Sequence, residues 1–265
     1  MNLSEKRLFL FDIDGTLALG DKLFEGTREL LEYIDRIGGR SFFITNNSTK
    51  GGADYVKRFR ESFGLETTPE QFVTSGFMMK KFLLEMYKDK RIYVQGTKSY
   101  LSELSSEGLL VTDEILPKPD CVVVAYDSEI TYEKISKTCL LLQQYSLPFY
   151  ATNPDLRCPV DGGFIPDCGA ICDMITSTTD KVPIYLGKPN PDMVTLCQKL
   201  SGFDDSQTLV VGDRLYTDIA CGLQAGVDTC LLLTGEASRA DISTTEFPPD
   251  IIFDTVGDLL LAIDK

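Results

Sequence analysis

Asp12 and Asp14 stand one residue apart at the end of the apolar run Leu8-Phe9-Leu10-Phe11, and they are the residues here best suited to chemistry. Two carboxylates this close raise each other's pKa values unless a cation or proton intervenes, so the pair points to a bound metal with chemistry attached. Three other places put polar residues directly after an apolar segment. They are Thr45-Asn46-Asn47-Ser48, Lys188 within Gly187-Lys188-Pro189, and Asp213 with Asp218. Each has a plain reading as well. Asp12 and Asp14 could form a turn with Gly15. Thr45 to Ser48 could be a helix-cap cluster and Asp213 an N-cap. Lys188 could be a solvated lysine, and Asp218 an ordinary carboxylate on a helix face. Taken together, the four sets suit a phosphate group held against Mg²⁺. Asp12 and Asp213 would ligate the metal, with a backbone carbonyl near Asp14 as a natural third ligand. Thr45 and the Asn46 amide would hydrogen-bond phosphoryl oxygens. Lys188 would offset the negative charge of nucleophile and phosphate.

Composition narrows the field further. The chain of 265 residues contains no histidine. Ser-His-Asp and Cys-His catalysis are thereby excluded, and acid–base work falls to carboxylates, Lys, Tyr or Cys. A metal site would be oxygen-ligated, which favours Mg²⁺, Mn²⁺ or Ca²⁺ over zinc. A net charge of −14 argues against nucleic acid and against an anionic membrane surface. It leaves an anionic small substrate open, because a divalent cation inverts the local field. No stretch approaches the roughly 18 apolar residues of a membrane span. The N-terminus leads through Glu5, Lys6 and Arg7 straight into a strand, unlike a signal peptide. The eight cysteines are scattered without a CxxC pair, which fits reduced thiols in a cytoplasmic chain.

Strand-like apolar runs alternate with helical patterns, and that alternation predicts a parallel α/β architecture. Strands are expected over 8–11, 41–44, 92–94, 121–125, 149–151, 184–186, 208–211 and 229–233. Leu30, Leu31, Ile34 and Ile37 form a helical stripe ended by Gly38-Gly39. Further helices are expected over 53–63, 77–87, 131–145 and 215–225, and Asn190-Pro191 reads as an N-cap followed by a first helical position. Residues 153–169 read as a long irregular loop, rich in Pro, Gly and Asp, of a length usually kept for function. In an open α/β sheet ligands sit beyond the carboxyl ends of the strands, so parallel strands of one sheet would bring all four polar sets to one edge.

These motifs resemble those of the haloacid dehalogenase superfamily of phosphotransferases. Asp12-Ile13-Asp14-Gly15-Thr16-Leu17 is similar to its first motif and Ile44-Thr45-Asn46-Asn47-Ser48 to its second. Gly187-Lys188-Pro189 resembles the third, and Val211-Gly212-Asp213-Arg214-Leu215-Tyr216-Thr217-Asp218 the fourth. The Thr-Asn-Asn form, with Ala151-Thr152-Asn153-Pro154-Asp155, looks like the NagD-like or p-nitrophenyl-phosphatase-like branch. The resemblance spans essentially the whole chain. It implies a doubly wound core over 1–82 and 182–265 with an inserted α/β cap over 83–181 that closes over the core and sets specificity. It implies that Asp12 attacks phosphorus to form an aspartyl-phosphate. Asp14 would protonate the leaving alkoxide and then deprotonate water, and Asp218 would hold metal waters or Lys188. It also places Asn46 and Asn47, and from the middle block Asn153, Asp155 and Arg157, at the substrate or phosphate. Pro166-Asp167-Cys168-Gly169 departs from the glycine-richer form of that branch.

The expected activity is Mg²⁺-dependent hydrolysis of a small phosphorylated metabolite: a sugar phosphate, a phosphoglycolate-like acid or a nucleoside monophosphate. The resemblance also admits a cap-mediated homodimer. Two rival classes share the scaffold, a phosphoacceptor or signalling module and a non-catalytic phosphate-binding protein. Asp14 and the roughly hundred-residue insertion speak against the first, and the full set of catalytic positions against the second.

Overall fold

The computed structural model describes residues 2–160 and 162–264. In chain order these form β1 (Leu8–Phe11), β2 (Ala18–Leu19), β3 (Lys22–Leu23), α1 (Thr27–Arg36), β4 (Arg40–Thr45), α2 (Gly52–Arg58), β5 (Phe72–Thr74), α3 (Ser75–Met86), β6 (Arg91–Gln95), α4 (Lys98–Ser106), β7 (Leu110–Thr112), β8 (Cys121–Val124), α5 (Tyr132–Gln144), β9 (Phe149–Ala151), β10 (Arg157–Val160), β11 (Gly163–Pro166), α6 (Cys168–Thr179), β12 (Ile184–Tyr185), α7 (Asp192–Ser201), β13 (Thr208–Gly212), α8 (Ala220–Ala225), β14 (Asp228–Leu232), α9 (Arg239–Ile242), β15 (Ile251–Phe253) and α10 (Val256–Ile263). The chain divides into two units. One holds the chain up to Thr45, Gly51–Val73 and everything from Lys188 onward; the other holds Asn46–Lys50 and Thr74–Gly187.

The first unit is built on a sheet in the order β15-β14-β13-β1-β4-β5. β1 runs parallel to both β13 and β4, and β13, β14 and β15 continue in parallel. Numbered along the chain, the order is the 3-2-1-4-5-6 of a doubly wound sheet, whose direction of winding reverses between the first and fourth strands. Those two strands are β1 and β13. All four residues of β1 are buried, as both faces of a central parallel strand require. Phe9 and Phe11 join Phe43, Leu209, Val211, Leu30, Ile34, Val256 and Leu259 in one core cluster. In the same cluster Phe43 stacks on Phe72 with centroids 5.0 Å apart and meets Phe59 at a tilt, 4.7 Å away. A two-strand hairpin, β2 and β3, follows the Asp14 turn at once.

The second unit carries its own parallel sheet, β12-β9-β8-β6-β7. Along the chain this is the 2-1-3-4-5 order, again doubly wound. The antiparallel hairpin β10–β11 lies inside the stretch expected to be irregular. Leu156 and Asp167 flank it and close it with a backbone hydrogen bond of 3.1 Å. Asp161 is outside the described residues.

Two sequence expectations change. The strand before Lys188 pairs with β9, Ile184 opposite Tyr150 and Tyr185 opposite Ala151, and so belongs to the second sheet. Three of the four polar sets therefore follow strands of the first sheet, and Lys188 does not. The units also part at Val73/Thr74 and Gly187/Lys188 rather than near 82 and 182. The reason is packing: α3 belongs with the second sheet, since the Phe82 ring lies 4.8 Å from that of Tyr150. Among the described residues no helix is long and apolar enough to cross a membrane. Removing the ring at the centre of the first core, Phe43→Ala, is expected to destabilise the protein by about 3–5 kcal/mol, read from urea unfolding.

Candidate active site

The reversal point of the first sheet is where its chemistry collects. Asp12 follows β1 and Asp213 follows β13, at the carboxyl ends of the two strands between which the winding reverses. Asp218 comes from the widened turn Leu215–Ile219 that leads into α8. Such π-type turns recur at functional sites because they re-aim a side chain. Here the turn folds Asp218 back so that its Oδ2 accepts the Arg214 N–H at 3.0 Å. Gly212 makes room, since a Cβ there would collide with the Asp218 side chain. One carboxylate oxygen from each of Asp12, Asp213 and Asp218 lies within 4.8 Å of the others.

Lys188 binds this cluster together. Its Nζ donates to Asp12 Oδ1 at 2.6 Å, to Asp218 Oδ1 at 2.6 Å and to the Ile44 carbonyl at 3.0 Å. The side chain is only 2% exposed, too little for water to solvate an ammonium. Burial alone pulls its pKa down, but the Asp12 and Asp218 charges outweigh that and hold it above the ordinary range. For Asp12 burial wins: the carboxyl sits well above the usual range despite Lys188, and Asp218 and Asp213 push it further up. Burial also raises Asp213, to about 6, with Asp218 adding to the shift. The Glu236 N–H, Arg214 and the Thr16 hydroxyl oppose it.

Asp213 is clasped from two sides. Thr16 Oγ1 donates to its Oδ1 at 3.1 Å and the Glu236 N–H to its Oδ2 at 2.8 Å. Thr234 Oγ1 donates to the Gly15 carbonyl at 2.6 Å, joining the loop after β14 to the Asp14 turn. Gly15 has a φ of +99°, and a Cβ on it would stand 2.6 Å from Asp213 Oδ2. A Cβ on Gly235 would overlap the same carboxylate. Both glycines are therefore dictated by the close approach of backbone to Asp213.

The Asp14 carboxylate stands outside the acidic cluster. It is paired with Arg58, from the last turn of α2, at 2.7 Å. Thr45 is buried at the end of β4. The remaining expected site residues lie in the second unit. There Asn46 Nδ2 donates to Asp155 Oδ2 at 2.7 Å, and Asn153 Nδ2 donates to the same oxygen at 2.9 Å. The Asn46 carbonyl accepts from Ser75 Oγ at 2.7 Å. Asn47 Oδ1 closes a local turn by accepting the Thr49 N–H at 2.8 Å. The Arg157 guanidinium lies 4.5 Å over the Phe164 ring. So Asp12, Lys188, Asp213 and Asp218 converge in the first unit, while Asn46, Asn153 and Asp155 form a buried knot in the second. Arg58, Thr16, Thr234, Gly235 and Glu236 went unnoticed in the sequence. Only Thr16 sits inside a recognisable motif; the others are distant along the chain.

The donor set fits a hard divalent cation. It is all oxygen, and three carboxylates share a single ammonium in a buried place, so a divalent cation would supply the positive charge their ionised forms need.

Family comparisons agree with this geometry. A model of haloacid dehalogenase-like hydrolases matches residues 9–110, and a second, HAD-hydrolase-like model matches residues 185–259. A 4-nitrophenylphosphatase from Thermotoga maritima is 36% identical, with a TM-score of 0.90 over 98% of each chain. The chain belongs to the haloacid dehalogenase-like hydrolase family, in its NagD- and nitrophenyl-phosphatase-like branch. The acid sugar phosphatase of Staphylococcus aureus is 28% identical over 263 residues, 99% of this chain and 100% of that one. The glycerol phosphate phosphatase of Mycobacterium tuberculosis, solved in complex with magnesium, is 26% identical. Its TM-score is 0.87 over 98% of this chain and 78% of that one. As a member of this family the protein is a phosphatase, a phosphoric monoester hydrolase.

Two outcomes follow from the electrostatics. Lys188→Met strands two buried carboxylates and should lower metal-free stability by about 3–5 kcal/mol in urea unfolding. Folded Asp213 keeps its proton up to about 6 against an ordinary 3.8, so its contribution to stability falls as pH rises through that window and stays low above it. Asp213→Asn escapes the penalty. Measured by urea unfolding in EDTA, its stability relative to wild type should rise by up to roughly 3 kcal/mol between about pH 4 and pH 6.5. A pH-independent difference would contradict this assignment.

Proposed function

We propose that this phosphatase hydrolyses small phosphate monoesters, sugar phosphates and their like, through an aspartyl-phosphate on Asp12, with Mg²⁺ as cofactor. The observation that carries the reading is the 2.6 Å contact of a buried Lys188 with both Asp12 and Asp218, beside Asp213. The relatives named for sugar phosphates and glycerol phosphate support the substrate class.

Asp12, Asp213 and Asp218 would hold the cation, which when bound would neutralise charge on nucleophile and phosphoryl oxygens. Lys188 aims Asp12, works with the cation against the protonation that burial favours, and lends its own charge to the equatorial oxygens. An Asp12 oxygen attacks phosphorus, the bond from phosphorus to the ester oxygen breaks, and the leaving oxygen takes a proton from Asp14. Water then attacks phosphorus, gives its proton to Asp14 and releases the Asp12 carboxylate with inorganic phosphate. Dividing one difficult displacement into two easier ones is the general gain of covalent catalysis. Thr45, at the end of β4, is suited to donate to a phosphoryl oxygen.

We read the inserted α/β unit as a cap that selects among small phosphate esters. Its Asn153–Asp155–Asn46 knot orders the segment that carries Arg157 and Phe164. The eight cysteines are all free thiols, which suits the cytoplasm.

With p-nitrophenyl phosphate, phosphate release should require Mg²⁺ and stop in EDTA. Asp12→Asn should abolish turnover with an unchanged circular dichroism spectrum, and Asp14→Asn should lower kcat about 10²- to 10⁴-fold, because the second half-reaction needs the base whatever the leaving group. A wild-type rate in Asp12→Asn rejects the covalent route. A phosphorylated protein that persists without turnover would instead favour a phosphoacceptor.

A further inference from the structure

Arg58 belongs to none of the four motifs, yet it grips the proposed acid–base residue with two nitrogens. Nη2 donates to Asp14 Oδ1 at 2.7 Å and Nη1 to Oδ2 at 3.3 Å. Nη2 also donates to the Gly20 carbonyl at 2.5 Å, in the turn between β2 and β3. The guanidinium carbon lies 5.3 Å over the Phe63 ring, and Nε stands 4.0 Å from Asp21 Oδ1. The Arg58 side chain is 15% exposed, while that of its partner Asp14 is 42% exposed.

An ordinary surface pair would leave both ends free to sway and would contribute little. Here the cation is sandwiched and the anion is the open end. A planar fork on a carboxylate fixes the orientation of its plane, which a point charge cannot do. The backbone restrains the same turn: the Gly15 N–H donates to the Ala18 carbonyl at 2.8 Å, and Asp14 bridges to Ala18. Asp14 is thus held by main chain and side chain together, and Gly20 ties the hairpin into the same grip.

We infer that Arg58 is a positioning residue: it holds the Asp14 carboxylate in place for proton transfer, with Oδ1 the more tightly anchored of its two oxygens. This rests on the acid–base role proposed above for Asp14. In the first half-reaction the Asp14 carboxyl proton passes to the leaving oxygen as its bond to phosphorus breaks, and the electron pair of that bond stays on the oxygen. In the second, the proton of the attacking water returns to Asp14. The guanidinium gives up no proton in either half.

Misplacing the proton donor matters most for basic leaving groups and least for those that depart unprotonated. The test is kcat/KM, which isolates the first half-reaction, across substituted phenyl phosphates with Mg²⁺. Arg58→Met should lose about 10²-fold on phenyl phosphate and no more than about fivefold on p-nitrophenyl phosphate, with Arg58→Lys between it and wild type. Asp14→Asn should show the same bias, and the double variant should be no slower on phenyl phosphate than Asp14→Asn alone. Equal losses on both esters, no loss, or additive losses in the double variant overturn the inference. If Asp14→Asn is biased and the Arg58 variants are not, only the role of Arg58 falls. If Asp14→Asn shows no bias, the acid–base reading of Asp14 falls and this inference with it. Arg58→Lys, which keeps the charge and most of the stem, supplies the comparison should Arg58→Met fail to fold.

Discussion

A buried ammonium must have carboxylates beside it, and Lys188 has two. Desolvating a lone charge is prohibitive, so each member of this triad makes the others tolerable. That requirement reaches well beyond the three side chains. It needs β1 and β13 side by side, so that Asp12 and the Asp213–Asp218 segment start from neighbouring strands. It needs the widened turn before α8 to swing Asp218 inward, and a glycine at 212 to admit it. The Ile44 carbonyl, which takes the third Lys188 hydrogen bond, comes from β4 on the other side of β1. One ion cluster therefore uses the ends of three adjacent strands.

Asp12 and Asp14 are a residue apart in the chain and occupy opposite electrostatic worlds. Asp12 is sunk among Lys188, Asp213 and Asp218, where burial raises its pKa and a cation would lower it again. Asp14 points away to Arg58, and its side chain is half open. Two like groups given different surroundings can serve as nucleophile and as acid–base, a division of labour that recurs wherever one site needs both. The turn through Gly15 makes the divergence possible, since its positive φ reverses the chain directly against Asp213.

The second unit repeats the first unit's logic on a smaller sheet. Its 2-1-3-4-5 order is again doubly wound, and its strands β8 and β9 are buried hydrophobic runs. Its polar residues are spent differently. Asp155 accepts from both Asn46 and Asn153, a neutral-to-anion network that fixes loops in place. The residues gathered there order backbone, whereas those gathered around Lys188 concentrate charge.

The family, the central strands and the four converging residues can be read along the chain without coordinates. Leu8 to Phe11 is apolar throughout because both its faces are covered, and that pattern needs no tertiary knowledge to read. Asp12, Lys188, Asp213 and Asp218 were legible because each lies at a fixed offset from such a run or inside a short motif. Tertiary structure decided the rest. Ile184 and Tyr185 look like any short strand, and only pairing with β9 assigns them to the second sheet. Arg58 lies 44 residues from Asp14 along the chain, and the Thr234–Glu236 loop lies about 20 residues beyond Asp213. Contacts of that range depend on how helix and strand pack, which local periodicity does not encode. The hairpin at Arg157 to Pro166 escaped for a related reason: its strand β11 is exposed at every residue, so it has no buried face and no apolar alternation to betray it.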